Sequence, residues 1–450
     1  MTDTIVGIAT AAGEGGVAIV RMSGDGAIAI FENAFRARKR HPPYESHRLM
    51  LGDVLDAGCE VIDEVMGVVM CAPHSYTRED VCEIHTHGGS AAAGMVMRRL
   101  IELGARPAEA GEFTRRAFMN GRIDLMQAEA VMGVISAQSA SALRSEQRML
   151  QGGQSRFLRQ AQDELTALLA GLEAHIDYPD EIDEEEALTG LREGLDRLMN
   201  RLDRAIDERG ARVVREGLHV ALCGRPNAGK STLFNALLGE ERAIVTDVPG
   251  TTRDVLEGSF QLDGARVILL DTAGLRHTGD AVEQIGVERA RAALDRADVA
   301  LLLIDASTGL TEEERELMQM NMPCPCAVLL NKEDAGKSIS VETVQALCPD
   351  RPVFRLSAQT GEGMDRVHAY LRGFVRKPQE LMLTHERHMA VARQALERLK
   401  QAREGLSQDQ PLDLTAVDMH EALYLLGRIT GDSVDEQLLD DIFSRFCVGK

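Results

Sequence analysis

Apolar and polar residues change rhythm three times along this chain of 450 residues. From Ile5 to about Met119, short apolar runs (IVGIAT, VAIVRMSG, VMGVVMCAP, VCEIHTHGG) are separated by glycine-rich turns such as AAGEGG, which predicts strands with a helix or two. From Asp124 to about Val213 glycine thins and helical spacing takes over. Leu188, Leu191, Leu195, Leu198 and Leu202 step by three and four and are followed by Ile206, predicting one long amphipathic helix packed on neighbours. After Gly217 the runs LHVALCG, RVILLD, VALLLID, CAVLLN and VFRLSA are short, apolar and followed by polar turns, as strands buried on both faces of a parallel sheet must be. Past Phe374, HERHMAVARQALERLKQAREGL returns to helical spacing. The expectation is a multidomain chain: an α+β N-terminal domain (1–119), an all-α helical domain in two parts (120–215 and 375–450), and an α/β domain inserted between them (216–374).

Charge narrows the partners. Lys and Arg number 50 against 71 Asp and Glu, a net −21, so most of the surface repels nucleic-acid phosphate and any RNA contact must be local or shared with a partner. The 8 cysteines form no CxxC pair and lack the density of a secreted disulfide scaffold. MTDTIVGIAT lacks a basic flank before an apolar stretch, and no apolar run approaches the roughly 20 residues that span a bilayer. A cytoplasmic protein with no membrane partner is expected. The acidic stretch DYPDEIDEEE (177–186) lacks the glycine turn and ligand spacing of a calcium loop and reads as a solvated loop.

The inserted domain carries the most specific chemistry. GRPNAGKS (224–231) matches GxxxxGK[ST] between a strand and a helix, the context the motif requires, so the domain is read as a Ras-like P-loop G domain. Gly224 and Gly229 let the backbone curl so that amides face phosphate oxygens, Lys230 reaches the terminal phosphates, and Ser231 offers a hydroxyl to Mg2+. The phosphate-facing set is Asn227, Ala228, Gly229, Lys230, Ser231 and Thr232. DTAG (Asp271, Thr272, Ala273, Gly274) follows RVILL and brings a carboxylate near the magnesium and a glycine amide near the third phosphate. NKED, with Asn331, Lys332 and Asp334, resembles the NKxD of GTPases, in which the aspartate pairs with guanine. Ser357, Ala358 and Gln359 resemble the last guanine loop of that superfamily. Four motifs in this order imply GTP binding.

The catalytic water lacks its usual partner, because Leu275 follows DTAG and no glutamine is available there. Glu283 and, behind it, Asp280 are the candidates to orient it, although Glu283 also reads as a solvated helix start. The loop Thr246, Asp247, Val248, Pro249, Gly250, Thr251, Thr252 is a switch that folds over the third phosphate, with the Thr252 hydroxyl a candidate for Mg2+. The side-chain oxygen of Asn227 and the backbone carbonyls of Thr246, Val248 and Thr251 together offer a nest for a monovalent cation. Arg253 is either an arginine finger or a partner of Asp254.

Across its whole length the chain resembles one family, the tRNA modification GTPases called MnmE or TrmE. The likeness is carried by VAIVRMSG, SYTREDVCEIHTHGG, RPAEAGEFTRRAFMNGRIDLMQAEAV, YPDEIDEEE, GRPNAGKS, PGTTRDV, DTAGLR and IFSRFCVGK. The resemblance implies a homodimer formed through the N-terminal domain, which binds a tetrahydrofolate derivative (5-formyl- or 5,10-methylene-tetrahydrofolate) as one-carbon donor. It implies work with the flavoprotein MnmG, also called GidA, in a heterotetramer that modifies the wobble uridine of certain tRNAs at carbon 5 with a carboxymethylaminomethyl-type group. The FAD belongs to the partner. It further implies K+ at the positions of Asn227, Thr246, Val248 and Thr251, and a water-orienting role for Glu283. Arg21, Glu83, Arg122 and Lys450 fall on folate-contacting positions, Arg122 standing where the family has lysine. Cys447 matches the family's carboxy-terminal cysteine, with a role in the modification chemistry.

Blander readings accompany several of these residues. Arg21 and Glu83 also read as a salt bridge within an α+β domain, and Cys447 as a small buried apolar residue. His85 and His87 share a strand face but have no evident third ligand, so they read as structural; Cys324 and Cys326 are too solitary for zinc. The competing function is a ribosome-assembly or purely regulatory GTPase without modification chemistry, which should carry a basic RNA module that these acidic helical flanks do not offer.

Overall fold

The computed structural model describes residues 3–179, 183–240, 257–271, 293–336, 338–375, 382–408 and 410–449. Two compact units divide the chain. One comprises Met1–Met132, Met149–Met199 and Gln394–Lys450; the other comprises Gly133–Arg148 and Asn200–Arg393.

The first unit begins with a seven-stranded sheet built from β1 (Ile5–Ile8), β2 (Gly15–Ser23), β3 (Phe35–Ala37), β4 (Met50–Leu55), β5 (Val61–Met70), β6 (Val81–Gly88) and β7 (Arg106–Pro107), in the order β3-β4-β5-β6-β2-β1-β7. Every pairing is antiparallel except β1 with β7. Strand alternation sorts the faces. Val20, Met22 and Ile84 turn inward with Val65 and Val69 and pack on α1 (Ala27–Ala34) and α2 (Ser90–Glu102) through Phe31, Val96 and Leu100. The other face carries Ile19, Arg21, Glu83 and His85, with Arg21 directly opposite Glu83 in the β2–β6 register.

Helices α3 (Glu112–Met119), α4 (Leu125–Ser136), α5 (Ala140–Leu150), α6 (Gly153–Asp177) and α7 (Glu184–Ala205) follow. Leu191, Leu195, Leu198 and Leu202 are buried along α7. The helix stops at Ala205, so Ile206 lies in the break before α8 (Glu208–Arg215) rather than on the predicted helix; the Asp207 side chain accepts from the Gly210 amide and starts α8 afresh. The acidic stretch expected as a loop is mostly helix ends among its described residues: Asp177 closes α6, and α7 begins at Glu184.

The second unit holds a six-stranded sheet of β8 (Leu218–Gly224), β9 (Glu257–Leu262), β10 (Ala265–Asp271), β11 (Val299–Asp305), β12 (Cys326–Asn331) and β13 (Val353–Arg355), ordered β13-β12-β11-β8-β10-β9. The five expected runs are its parallel strands; the edge strand β9, antiparallel to β10, was not expected, because EGSFQL mixes polar and apolar residues. Among the described residues α9 (Lys230–Glu240), α10 (Glu312–Gln319), α11 (Val341–Leu347) and α12 (Met364–Arg372) belong to this fold. α13 (Glu386–Gly405), α14 (Leu412–Thr430) and α15 (Glu436–Phe443) close the chain. Among the described residues no helix is long and apolar enough to cross a membrane.

The chain's last residues return to its first. Phe443 and Phe446 pack with Ala117, Ile123, Leu125 and Tyr76, Arg115 pairs with Asp440 at 2.9 Å, and Val448 forms an antiparallel bridge with Ala110. Phe443→Ala should therefore cost this unit about 3–5 kcal/mol, the range for emptying a buried aromatic site. Denaturant unfolding followed by a probe in the first unit checks this, and a change under 1 kcal/mol, on the order of a surface substitution, would contradict it.

Candidate functional site

Two clusters of functional side chains emerge, one in each unit. In the second unit the described residues of the nucleotide motifs lie at the carboxyl ends of parallel strands, where open α/β sheets bind ligands. The phosphate loop leaves β8 and enters α9; the DTAG aspartate, Asp271, ends β10; NKED follows β12; Ser357 to Gln359 follow β13. Gly224 (φ +139°) and Gly229 (φ +95°) adopt backbone conformations closed to L side chains, and a Cβ at either would strike Leu303 or Asn331. The buried Lys230 donates to the carbonyls of Gly224 and Arg225 at 2.5 and 2.8 Å, which holds its ammonium inside the curl of the loop. Ser231 and Thr232 are exposed at the start of α9, and Asn227 is exposed with φ 65°.

Asn331 ties three loops together. Its side chain, 2% exposed, donates from Nδ2 to the Ala228 carbonyl at 2.9 Å and accepts from the Ala358 amide at 2.9 Å. The NKED loop, the phosphate loop and the last guanine loop are thereby fixed to one another. Asp334 is exposed, and its Oδ1 accepts from the buried Ser357 hydroxyl at 2.6 Å, which orients the carboxylate expected to read guanine. Lys332 donates to Asp305 at 2.6 Å. Burial opposes the Asp305 charge, but Lys332 and Ser307 together hold its carboxyl below the usual carboxylate range. Asp305 was missed in the sequence; the signal was a polar residue closing the apolar run VALLLID. Arg225 was missed too. It pairs with Glu313 at 2.7 Å and so braces the phosphate loop against α10.

The switch residues Thr246, Asp247, Val248, Pro249, Gly250, Thr251 and Thr252, together with Arg253, Asp254, Thr272, Ala273, Gly274, Asp280, Glu283 and Lys450, lie outside the described residues.

The second cluster gathers Arg21, Glu83 and Arg122 in the first unit. Arg21 Nε donates to Glu83 Oε1 at 2.8 Å, so the salt bridge is present. Burial raises the cost of the Glu83 charge, yet Arg21 and His85 outweigh it and hold the carboxyl below its ordinary value. The guanidiniums of Arg21 and Arg122 both lie over the Tyr76 ring, at 5.4 and 4.8 Å from its centroid, and Arg21 also approaches Phe113 at 5.8 Å. Tyr76 and Phe113 were missed, because they belong to no periodic run. His85 pairs with Glu83 at 3.2 Å and His87 with Asp63 at 2.6 Å, each histidine satisfied by its own carboxylate.

The tail borders this cluster. The Gly111 amide donates to the Cys447 carbonyl at 3.4 Å, and Gly449, at φ +93°, presses on Ile8 and Ala9 so closely that a Cβ there would strike the Ile8 carbonyl. A Cβ on Gly7, which pairs with Arg21 across β1 and β2, would come within 3.3 Å of the Gly449 Cα. The exposed Cys447 lies two residues before Gly449, whose backbone packs on Gly7, the residue that pairs with Arg21. Cys447 is not the buried apolar residue that its blander reading supposed.

Asp334→Asn should move nucleotide preference from guanosine toward xanthosine nucleotides, which place an oxygen where guanine has its amino group. Competition binding measures this, and equal affinity of the unaltered chain for ATP and GTP would contradict the guanine assignment.

Comparison with known proteins agrees with the geometry. The family profile described as "MnmE helical domain" matches residues 125–447, and "GTP-binding protein TrmE N-terminus" matches residues 4–122. A tRNA modification GTPase MnmE of Listeria welshimeri is 41% identical over 456 residues, covering 100% of this chain and 99% of its own. That of Streptococcus thermophilus is 42% identical over 459 residues, covering 100% of this chain and 98% of its own. Among solved structures, Aquifex aeolicus Era bound to GDP and aluminium fluoride aligns at 30% identity with a TM-score of 0.29, over 40% of this chain and 65% of that one. With both profiles and full-length relatives at this identity, the chain belongs to the MnmE family of tRNA modification GTPases.

Proposed function

We propose that this GTPase is the nucleotide-hydrolysing subunit of a folate-dependent system that modifies the wobble uridine of tRNA at carbon 5, acting as a homodimer with a flavoprotein of the MnmG (GidA) kind. The observation that carries the reading is the docking of the tail: Val448 bridges Ala110, and Gly449 packs on Gly7 beside Arg21. That docking supports the reading, because it brings the cysteine-bearing tail to the strand beside Arg21.

The residues present fit such a ring. Two guanidiniums on Tyr76 offer flat cationic faces for stacking, and the Glu83 carboxylate offers an acceptor for ring N–H groups. Arg21, Glu83 and Arg122 would hold a tetrahydrofolate derivative, and the family resemblance assigns Lys450 to the same ligand. When bound, that group supplies the one-carbon unit, and the partner's FAD supplies the redox chemistry. The second face of the N-terminal sheet supports the dimer, because Val17, Leu51, Val61 and Met66 are exposed there.

In the other unit the same reading assigns Ser231 and Thr252 to Mg2+, and Asn227 with the carbonyls of Thr246, Val248 and Thr251 to K+. Glu283 orients the water. The proposed working parts are residues 1–119 for folate and dimerisation, 120–215 with 375–450 as the helical frame, and 216–374 as the G domain, in a cytoplasmic protein.

Two outcomes test this. An arginine finger is worth about 10³ to 10⁵ in rate, and a bound K+ supplies part of the same charge stabilisation. Hydrolysis should be faster in potassium than in sodium at equal ionic strength, with Asn227→Ala shrinking the difference; identical rates in both salts count against the cation site. Cys447→Ser should leave GTP binding and most hydrolysis intact while wobble-uridine modification, read by nucleoside analysis of tRNA digests, falls sharply. Loss of hydrolysis with the modified nucleoside retained would refute the division between the two sites and favour a regulatory GTPase.

A further inference from the structure

The run Arg36-Ala37-Arg38-Lys39-Arg40-His41 is at odds with a chain of net charge −21. Between residues 36 and 48 it places five Lys and Arg, the fifth being Arg48, against one acid, Glu45. Arg36 belongs to β3, one of the two edge strands of the seven-stranded sheet, and the other cations follow on the loop that leads to β4.

This loop is built. Tyr44 packs edge-on against Phe31 and Phe35, both at 5.9 Å between ring centroids, and its hydroxyl donates to the Phe35 carbonyl at 3.4 Å. The His47 amide donates to Val69 at 2.7 Å, the Cys71 amide to the Ser46 hydroxyl at 3.1 Å, and the Arg38 amide to Leu51 at 3.1 Å. The cations are therefore displayed from a fixed edge and lose little freedom on meeting a ligand.

Their existing partners are weak. Arg38 touches Asp53 and Glu64, while Arg40 and Arg48 share Glu45 at 3.3 and 2.8 Å; these pairs are largely solvent-exposed, where water and salt screen them and they hold the cations only loosely. Arg36 and Lys39 are exposed and make no ion pair among the described residues. Charges on an edge strand also guard against edge-to-edge pairing. One or two on β3 would serve that purpose, whereas here the basic run continues well past a strand of 3 residues.

We infer that the β3 edge and its following loop form a phosphate-backbone contact surface for tRNA, with Arg36, Lys39 and Arg40 as its centre. The inference rests on the tRNA-modification reading and deepens it by giving the nucleic acid a place on this acidic chain. The contact is to phosphate and carries no sequence selectivity of its own.

Fluorescein-labelled unmodified tRNA transcript, titrated with the full chain over a series of KCl concentrations, tests it. Each phosphate contact contributes about 0.7 to 0.9 to the slope of log affinity against log salt. Arg36→Ala/Lys39→Ala/Arg40→Ala should flatten the slope by about 2 to 3 and leave GTP hydrolysis unchanged, and Arg36→Lys/Arg40→Lys should keep the slope. The lysine variant also shows whether the alanine variant fails through folding, because then hydrolysis falls in the alanine variant alone, and the unchanged chain against Lys39→Ala must still differ in slope by about 1. An unaltered slope in the alanine variant overturns the proposal. If that variant also loses binding to a partner protein, the patch is a protein-docking surface; if it aggregates, the patch is an edge guard. Absence of tRNA binding by the unaltered chain overturns it too, while the wobble-uridine reading stands or falls on nucleoside analysis.

Discussion

Backbone-on-backbone contact between the two chain ends governs this molecule. Gly7 and Gly449 approach so closely that a methyl group on either meets the opposite strand, and the Val448–Ala110 bridge fixes the contact along the chain. Between them the chain leaves the first compact unit twice, over Gly133–Arg148 and Asn200–Arg393, and returns to it each time. The geometry that results keeps a cysteine-bearing tail against the Arg21 cluster and places the nucleotide chemistry in a separate unit.

Each site is then held by one buried polar device. In the nucleotide unit it is the Asn331 amide, whose donor and acceptor reach two other loops. Burying such a group without both partners would cost about 1–3 kcal/mol, so the three loops are mutually constrained before any nucleotide arrives. In the first unit it is the Arg21–Glu83 pair, with both side chains about one-seventh exposed and braced by Tyr76. Partial burial makes that pair directional, and the aromatic ring beside it gives the cluster a face suited to stacking.

How much of this could be read from the sequence depended on whether the cause was local. The four inner strands of the G domain were legible because a strand covered on both faces must be apolar throughout; of the two edge strands, the half-buried β13 was legible from VFRLSA, whereas β9 was not, because its EGSFQL mixes polar and apolar residues. The leucines of α7 were legible by period, but its end at Ala205 was not, because the Asp207 cap is a local device inside an unbroken helical pattern. Motif spacing exposed Lys230, Asn331 and Asp334, and the structure adds what spacing cannot: Asp305 on Lys332, Ser357 on Asp334. Tyr76 and the docking of residues 447 to 449 depend on contacts more than thirty residues apart, which periodicity and spacing do not register; for the tail the family resemblance alone gave a signal.

The most direct measurement uses Gly449→Val, which places a branched side chain where even a methyl group meets the Ile8 carbonyl and so lifts the tail from the first strand. GTP hydrolysis by the purified variant and wobble-uridine nucleosides in tRNA from cells carrying it as sole copy are measured side by side. Hydrolysis retained with the modified nucleoside lost is the result expected of a docked tail that serves the first unit alone. Undiminished modification with the tail displaced would contradict it.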